Sequence, residues 1–427
     1  MTAADTPLVL VTGLRAADSA RVASALLDRP GTVLIHHDVT RLGEGVVVRT
    51  LRRRRAGVVV EETTAVELAH GCVSCTLRLD LLPLLRELGR RRDVTRIALH
   101  LDPALEPEHL CWAIANVVLD DEPEGAPEVA GDFVDVTGVL AVIDGATWLD
   151  DVTGGDDLAD RALAATPDDD RSLAQVALGQ VAFADAVLLA GGPLDAWTSA
   201  RLHAVLDRLV AGVPRAQTAV GPERLLAAIP RDSRRGRLST AFDPLLPGEP
   251  PLGEDVGVGL VRYSAGRPFH PGRLHEALDV LLEGVVCSRG RLWLASQHDR
   301  AVWLESAGQG LRVGDAGPWL ATLPDHPDAW RDVAPQRRVA AALRWDARYG
   351  DRHTELVVLS HRQPAVAVIA ALEAALLTDE ELAAGPDDWR TLPDPFGTWH
   401  EDPCEASTPV DDRTGATTEP DREERSR

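Results

Sequence analysis

Two short segments hold the residues with the most distinctive chemistry. One is His70-Gly-Cys72-Val-Ser-Cys75, an imidazole and two thiols within six residues. Thiolate sulfur and imidazole nitrogen are the ligands zinc prefers, and a structural site takes four of them. His70, Cys72 and Cys75 are therefore candidate metal ligands, with His36, His37 or His100 as a fourth wherever the fold brings one close. A Cys-x-x-Cys pair points strongly to zinc only beside a second such pair, and none follows. The same two cysteines also suit a helix start without metal, packed or capping. A redox pair is the third reading, although the surrounding pattern is not thioredoxin-like.

The other segment is Gly13-Leu-Arg-Ala-Ala-Asp18-Ser19-Ala20-Arg21, directly after the apolar run Leu8–Thr12. A phosphate-cradling loop has the form G-x-x-x-x-G-K-[ST]. Its lysine reaches the outer phosphates and its hydroxyl holds Mg²⁺. Gly13 fits the first glycine, but Asp18 takes the place of the second, Ser19 that of the lysine and Ala20 that of the hydroxyl. A carboxylate at position 18 repels phosphate, and the fork of Arg15 or Arg21 is a poor geometric substitute for an ammonium. The alternative is a plain strand–turn–helix in which Asp18 caps the helix amides. GTP and Mg²⁺ are poorly served on either reading, and no catalytic residue is assigned.

Composition narrows the function classes. All 44 basic residues among 427 are arginine, so any role that needs a lysine ammonium is excluded. The formal net charge of −23 argues against nonspecific or sequence-specific nucleic-acid binding by the chain as a whole. No apolar run is long enough for a membrane span, and Met1–Pro7 lacks the basic and apolar regions of a signal peptide. Five scattered cysteines make no disulfide framework. A cytoplasmic protein with reduced thiols is expected.

The elements that must position these residues alternate between strand and helix. Leu8–Thr12, Thr32–Ile35, Ile97–Leu101, Val134–Ile143 and Ala186–Leu189 read as strands. Asp18–Leu27, Leu77–Leu88, Glu108–Val118, Leu173–Ala182 and Leu194–Leu209 read as helices. Val46–Leu51 and Val58–Glu62 read as a hairpin around Arg52–Gly57, whose arginines suit a solvated tip or a contact to RNA or an acidic partner. This order predicts an α/β fold, a mostly parallel sheet covered by helices on both faces, over 1–230. A proline-rich linker is expected at 231–255, then a smaller α+β domain with an antiparallel sheet over 256–400. That domain takes strands at Val256–Tyr263, Gly290–Ala295, Ala301–Glu305, Gly310–Val313 and Thr354–Ser360, and helices at Arg273–Leu282 and Ala365–Leu377. Trp293, Trp303 and Trp345 are expected to pack within it, and His270 to form a structural hydrogen bond. An acidic, disordered tail is expected at 401–427.

Gly71-Cys-Val-Ser-Cys-Thr-Leu-Arg-Leu-Asp-Leu81 resembles the Gly-Cys-x-Cys-Cys-Thr-x-Arg-x-Asp-Leu signature of the CobW family of P-loop GTPases, with Ser74 in place of one thiolate. Arg267–Pro271, Cys287–Ala295, Gly350–Leu356 and Leu376–Leu382 resemble that family's C-terminal module in order and spacing. The resemblance implies GTP hydrolysis and a zinc site at the cysteines. His100-Leu-Asp-Pro103 falls where the family carries Glu-x-x-Gly; His100 and Asp102 suit a metal contact, but Pro103 has no amide to donate. Ala190–Pro193 falls where the family reads guanine through Asn-Lys-x-Asp. Within the family, His70–Cys75, Ala113–Asn116 and Asp394–His400 resemble an actinobacterial branch described as recruiting a ribosome-hibernation factor under zinc limitation. That implies a scaffold partnered by the factor and the ribosome, with a degenerate nucleotide site. A GTP-dependent zinc metallochaperone is the alternative, and a nucleotide-independent zinc-sensing protein a second.

Overall fold

The computed structural model describes residues 6–68, 76–119, 127–246, 248–324, 326–331 and 333–397. His70, Cys72, Cys75 and the 401–427 tail lie outside them.

The first sheet runs β4-β3-β2-β5-β1-β6-β7-β8. Its strands are β1 (Thr6–Thr12), β2 (Thr32–Asp38), β3 (Val46–Arg55), β4 (Val58–Glu67), β5 (Arg96–His100), β6 (Val134–Asp144), β7 (Ala186–Ala190) and β8 (Arg215–Gln217). All neighbours pair in parallel except β2 with β3 and β3 with β4. Its central strands are apolar on both sides because both faces are covered. Leu8, Leu10, Val33 and Ile35 pack under α2 (Leu82–Gly89) and α3 (Pro107–Asn116). Val9, Val11 and Leu34 face α1 (Ala16–Ala25). The period of two that separates these sets also sends the adjacent His36 and His37 to opposite faces.

The second sheet runs β12-β11-β10-β13-β9, every pair antiparallel. Its strands are β9 (Val258–Ala265), β10 (Val285–Leu292), β11 (Arg300–Ala307), β12 (Gly310–Pro318) and β13 (Thr354–His361). The fold is therefore the expected mostly parallel sheet with helices plus a second, antiparallel one. Val258, Leu260, Val286, Val357 and Leu359 share a core with α4 (Trp148–Thr153), α5 (Leu173–Ala182) and α6 (Ala196–Leu209), so the two sheets are joined through a helical layer. The other face of the second sheet packs on α8 (Pro271–Ala277) and α10 (Ala365–Ala375), which follow α7 (Pro222–Ala228) and α9 (Pro335–Arg344) in the chain. The described residues of the proline-rich stretch form no helix or ladder strand but are held in place. Arg289 bonds the Leu245 carbonyl at 3.0 Å, and Arg291 the Ala241 carbonyl at 2.7 Å.

Several elements differ from expectation. The strand read at Gly290–Ala295 is β10, which starts earlier because Val285 and Val286 are buried. The single helix read over Leu77–Leu88 is a π-turn, Leu77–Leu81, followed by α2 with Pro83 in its first turn. Trp293 is fully buried and Trp303 packs against the shared core, whereas Trp345 is 49% exposed. His270 accepts the Arg273 amide and caps α8. No described helix is long and apolar enough to cross a membrane.

Gly290 sits in mid-strand between β11 and β13, and a Cβ there would lie 2.1 Å from the Glu355 carbonyl oxygen. Neither backbone can retreat without breaking the ladder. Gly290→Ala should therefore cost about 3 kcal/mol. Urea unfolding followed by circular dichroism checks this, and an unchanged midpoint would contradict it.

Candidate functional site

The phosphate turn is shorter than a cradle requires. Gly13 leaves β1 where a Cβ would stand 2.3 Å from the Val142 carbonyl oxygen, so only glycine fits. Arg15 is already the N-cap of α1 and makes no side-chain cap. Ala16, Ala17 and Asp18 form the first helical turn, and the amides of Asp18 and Ser19 bond the Arg15 carbonyl at 2.9 and 3.2 Å. Amides that would close on phosphate are thus committed to the turn itself. Asp18 does not cap the helix as expected: it lies inside it, ion-paired to Arg21 and 3.7 Å from Arg15 Nε. Arg15 reaches on to the Asp144 carboxylate at the end of β6. Gly13, Asp18, Ser19 and Ala20 are together, but the charges among them are internally neutralised.

Ser19 is buried, with its Oγ 3.2 Å from the Ala16 carbonyl and 2.9 Å from His100 Nε2. The hydroxyl has one proton to give and the carbonyl can only accept. The consistent assignment is Ser19 donating to Ala16 and His100 Nε2–H donating to Ser19. Burial first, then the nearby His36 and Arg52, pushes the His100 pKa down to about 3. The rings of His36 and His100 stack at 4.5 Å, and His36 Nδ1–H donates to the His100 carbonyl at 3.0 Å. Asp102 does not join them at a metal. One oxygen accepts the Val39 amide at 3.3 Å and the other the Ala104 amide at 3.1 Å. At the guanine end, β7 stops at Ala190, and the next carboxylate, Asp195, caps α6 through the Trp197 and Thr198 amides.

On the opposite sheet face lies an arrangement that spacing did not reveal. Buried His37 meets Asp80 Oδ2 through Nε2 at 2.7 Å, and Arg49 Nη1 holds Asp80 Oδ1 at 2.5 Å. The buried Nδ1 of His37 has no hydrogen-bond partner among the described residues. Asp80 is the acidic residue of the cysteine signature, carried in the π-turn just after it. Among the described residues no three His, Cys, Asp or Glu side chains are grouped to hold a metal.

Comparison with known proteins bears on the same regions. The CobW/HypB/UreG nucleotide-binding domain matches residues 49–219, beginning after the phosphate turn. The cobalamin synthesis protein CobW C-terminal domain matches residues 258–376. The zinc chaperone Rv0106 of Mycobacterium tuberculosis is 44% identical over 402 residues, 93% of this chain and 94% of that protein. The zinc-regulated GTPase metalloprotein activator 1 of Dictyostelium discoideum is 28% identical over 342 residues, 78% of this chain and 70% of that protein. A solved structure, Zn(II)-bound YjiA GTPase from E. coli, aligns over 88% of this chain with 13% identity and a TM-score of 0.37. The names of these relatives speak of zinc and not of ribosomes. With both domains matched in order and a relative alike along nearly its whole length, the chain belongs to the CobW family.

Proposed function

We propose that this CobW-family protein captures and hands on zinc, and that it does so without a cycle of GTP hydrolysis. The observation that carries the zinc reading is the state of His37. With Nε2 engaged by Asp80, the other ring nitrogen, Nδ1, is buried and without a hydrogen-bond partner among the described residues, the position from which an imidazole would offer its lone pair to a metal. A carboxylate that fixes the tautomer and orientation of an imidazole is the usual outer support of a zinc-ligating histidine. Asp80 and the candidate ligands His70, Cys72 and Cys75 belong to one continuous segment. In this reading the thiolates and His37 bind the ion, Asp80 aims His37 and Arg49 steadies Asp80. The relative called a zinc chaperone supports the same reading.

Competition of the reduced, full-length protein against a chromophoric chelator tests it. One zinc per chain is expected. Asp80→Asn should weaken binding by about 10–100-fold, and His37→Ala at least as much. Failure to bind stoichiometric zinc, or unchanged affinity in both variants, removes the proposal. Recruitment of a hibernation factor to ribosomes is a separate proposal resting on the branch resemblance alone. Co-sedimentation with both under zinc depletion tests it, and a lack of association would discard it.

A further inference from the structure

α9 is turned the wrong way for a surface helix. Such a helix normally buries its apolar stripe and shows its charges to water. Within α9 only Ala341 is buried. Val339 and Leu343, one turn apart and on the far side of the axis from Ala341, are 61% and 82% exposed. Trp345, just past the last turn, is exposed as well. The arginines lie on the flanks of this ridge: Arg337 donates to the Pro318 carbonyl at the end of β12, and Arg344 pairs with Glu355. Arg338 and Arg348 are exposed and form no ion pair with the described residues. From Val333 to Trp345 there is no carboxylate, in a chain that carries 67. An exposed apolar ridge bordered by charge marks a contact face.

The chain itself supplies a complementary segment. The described residues end at Gly397, whose carbonyl accepts a bond from Gln297 Nε2 at 3.2 Å. In the same loop the Asp299 carbonyl accepts the Trp319 amide at 3.2 Å, directly after the Pro318 that anchors Arg337. The chain therefore leaves the described residues beside the end of β12 on which α9 rests. Residues 398–427 carry nine carboxylates against four arginines, and no arginine comes before Arg413. Trp399 opens the segment, and Glu401, Asp402 and Glu405 follow. At about 3.3 Å per extended residue, 398–405 spans roughly 26 Å, more than the roughly 15 Å length of α9.

We propose that the C-terminal segment 398–427 folds back onto α9, with Trp399 on the Val339–Leu343 ridge and the first carboxylates on Arg338 and Arg348. Two other occupants fit less well. A second copy would set the arginines of one α9 against those of its twin. An anionic lipid surface would attract the helix but repel the chain behind it, whose net charge is −23. Exposed ion pairs contribute little singly, so the ridge supplies most of the contact and the charges set its direction. The tether makes the contact intramolecular, at an effective concentration on the order of millimolar. It is independent of zinc binding at His37.

Hydrogen–deuterium exchange of the α9 amides in the full-length protein tests this. Trp399→Ser lies in the segment and leaves the helix itself unchanged. It should speed exchange by about tenfold, the change expected when a segment docked about nine-tenths of the time is released. Arg338→Glu should speed it by about threefold, and Arg338→Glu combined with Glu401→Arg should restore the slow rate. Thermal melts report whether each variant folds. The proposal fails if Trp399→Ser leaves the exchange of α9 unchanged, or if the double variant exchanges as fast as Arg338→Glu. A dimer in sedimentation that Leu343→Asp breaks would assign the ridge to a second copy instead. Retention on vesicles of anionic lipid that the same variant loses would assign it to a membrane surface.

Discussion

Mg²⁺-GTP incubated with the full-length protein is expected to release phosphate no faster than buffer, and Asp18→Gly alone should not change that. Phosphoryl transfer depends almost wholly on positioned charge. The loop lysine is missing, and no lysine elsewhere can replace it. The two nearest guanidiniums are engaged, Arg21 with Asp18 and Arg15 with Asp144. Ala20 offers Mg²⁺ no hydroxyl, and Pro103 offers the γ-phosphate no amide. Losing one well-placed donor to a developing oxyanion costs about 10²–10³ in rate. Removing the Asp18 carboxylate lifts a repulsion but leaves the amides at 18 and 19 bonded to the Arg15 carbonyl. Phosphate release above the buffer rate, or tight GTP binding by the glycine variant, would overturn this view of the turn.

The alternation of apolar runs with helical stripes was enough to read the parallel sheet, because strands buried on both sides are near-continuous apolar runs. It also gave the β3–β4 hairpin, punctuated by Ala56 and Gly57 at φ 49° and 83°. Where α1 begins was not legible. Asp18 looks like a cap, but Ala16 and Ala17 are stronger helix formers and draw the start back to Arg15. The break at Leu77–Leu81 was hidden because a π-turn keeps the apolar residues of a helix while changing their phase.

The site was less legible than the fold for a related reason. His37 and Asp80 are 43 residues apart, and only the assembled sheet and π-turn bring them to 2.7 Å. The alternation of β2 could have separated His37 from His36, since neighbours in a strand serve opposite faces. The two adjacent histidines thus meet different neighbours, His37 the Asp80 carboxylate on one face and His36 the His100 ring on the other.

Acidification from pH 7 to 5 should destabilise the protein sharply, well above the range where ordinary carboxylates titrate. Burial is the largest cause of depression in three histidines: His100 is pushed down to about 3, His298 and His361 to about 4. Each is under a tenth exposed. The unfolded chain protonates them near the ordinary value of 6.5 while the native state does not, so it binds more protons across that window. Stability is therefore full above about pH 6.5 and is lost as pH falls toward the folded values, by up to about 1.4 kcal/mol per pH unit for each histidine. By pH 5 that is up to about 2 kcal/mol apiece. His298 shows the structural cost directly, because its Nδ1 accepts the Trp293 indole N–H at 3.3 Å and cannot do so once protonated. His109 acts in the opposite sense through Glu106, but its side chain is 68% exposed and solvent screens the pair. The buried Asp102 and Asp185, raised by desolvation, offset the loss only as pH falls through their own folded values. Urea midpoints at pH 7 and pH 5 measure the difference. His361→Asn removes one titration and should shrink it by about 1–2 kcal/mol. Equal midpoints at the two pH values, or a variant as acid-sensitive as the parent, would show that these histidines do not stay neutral in the folded chain.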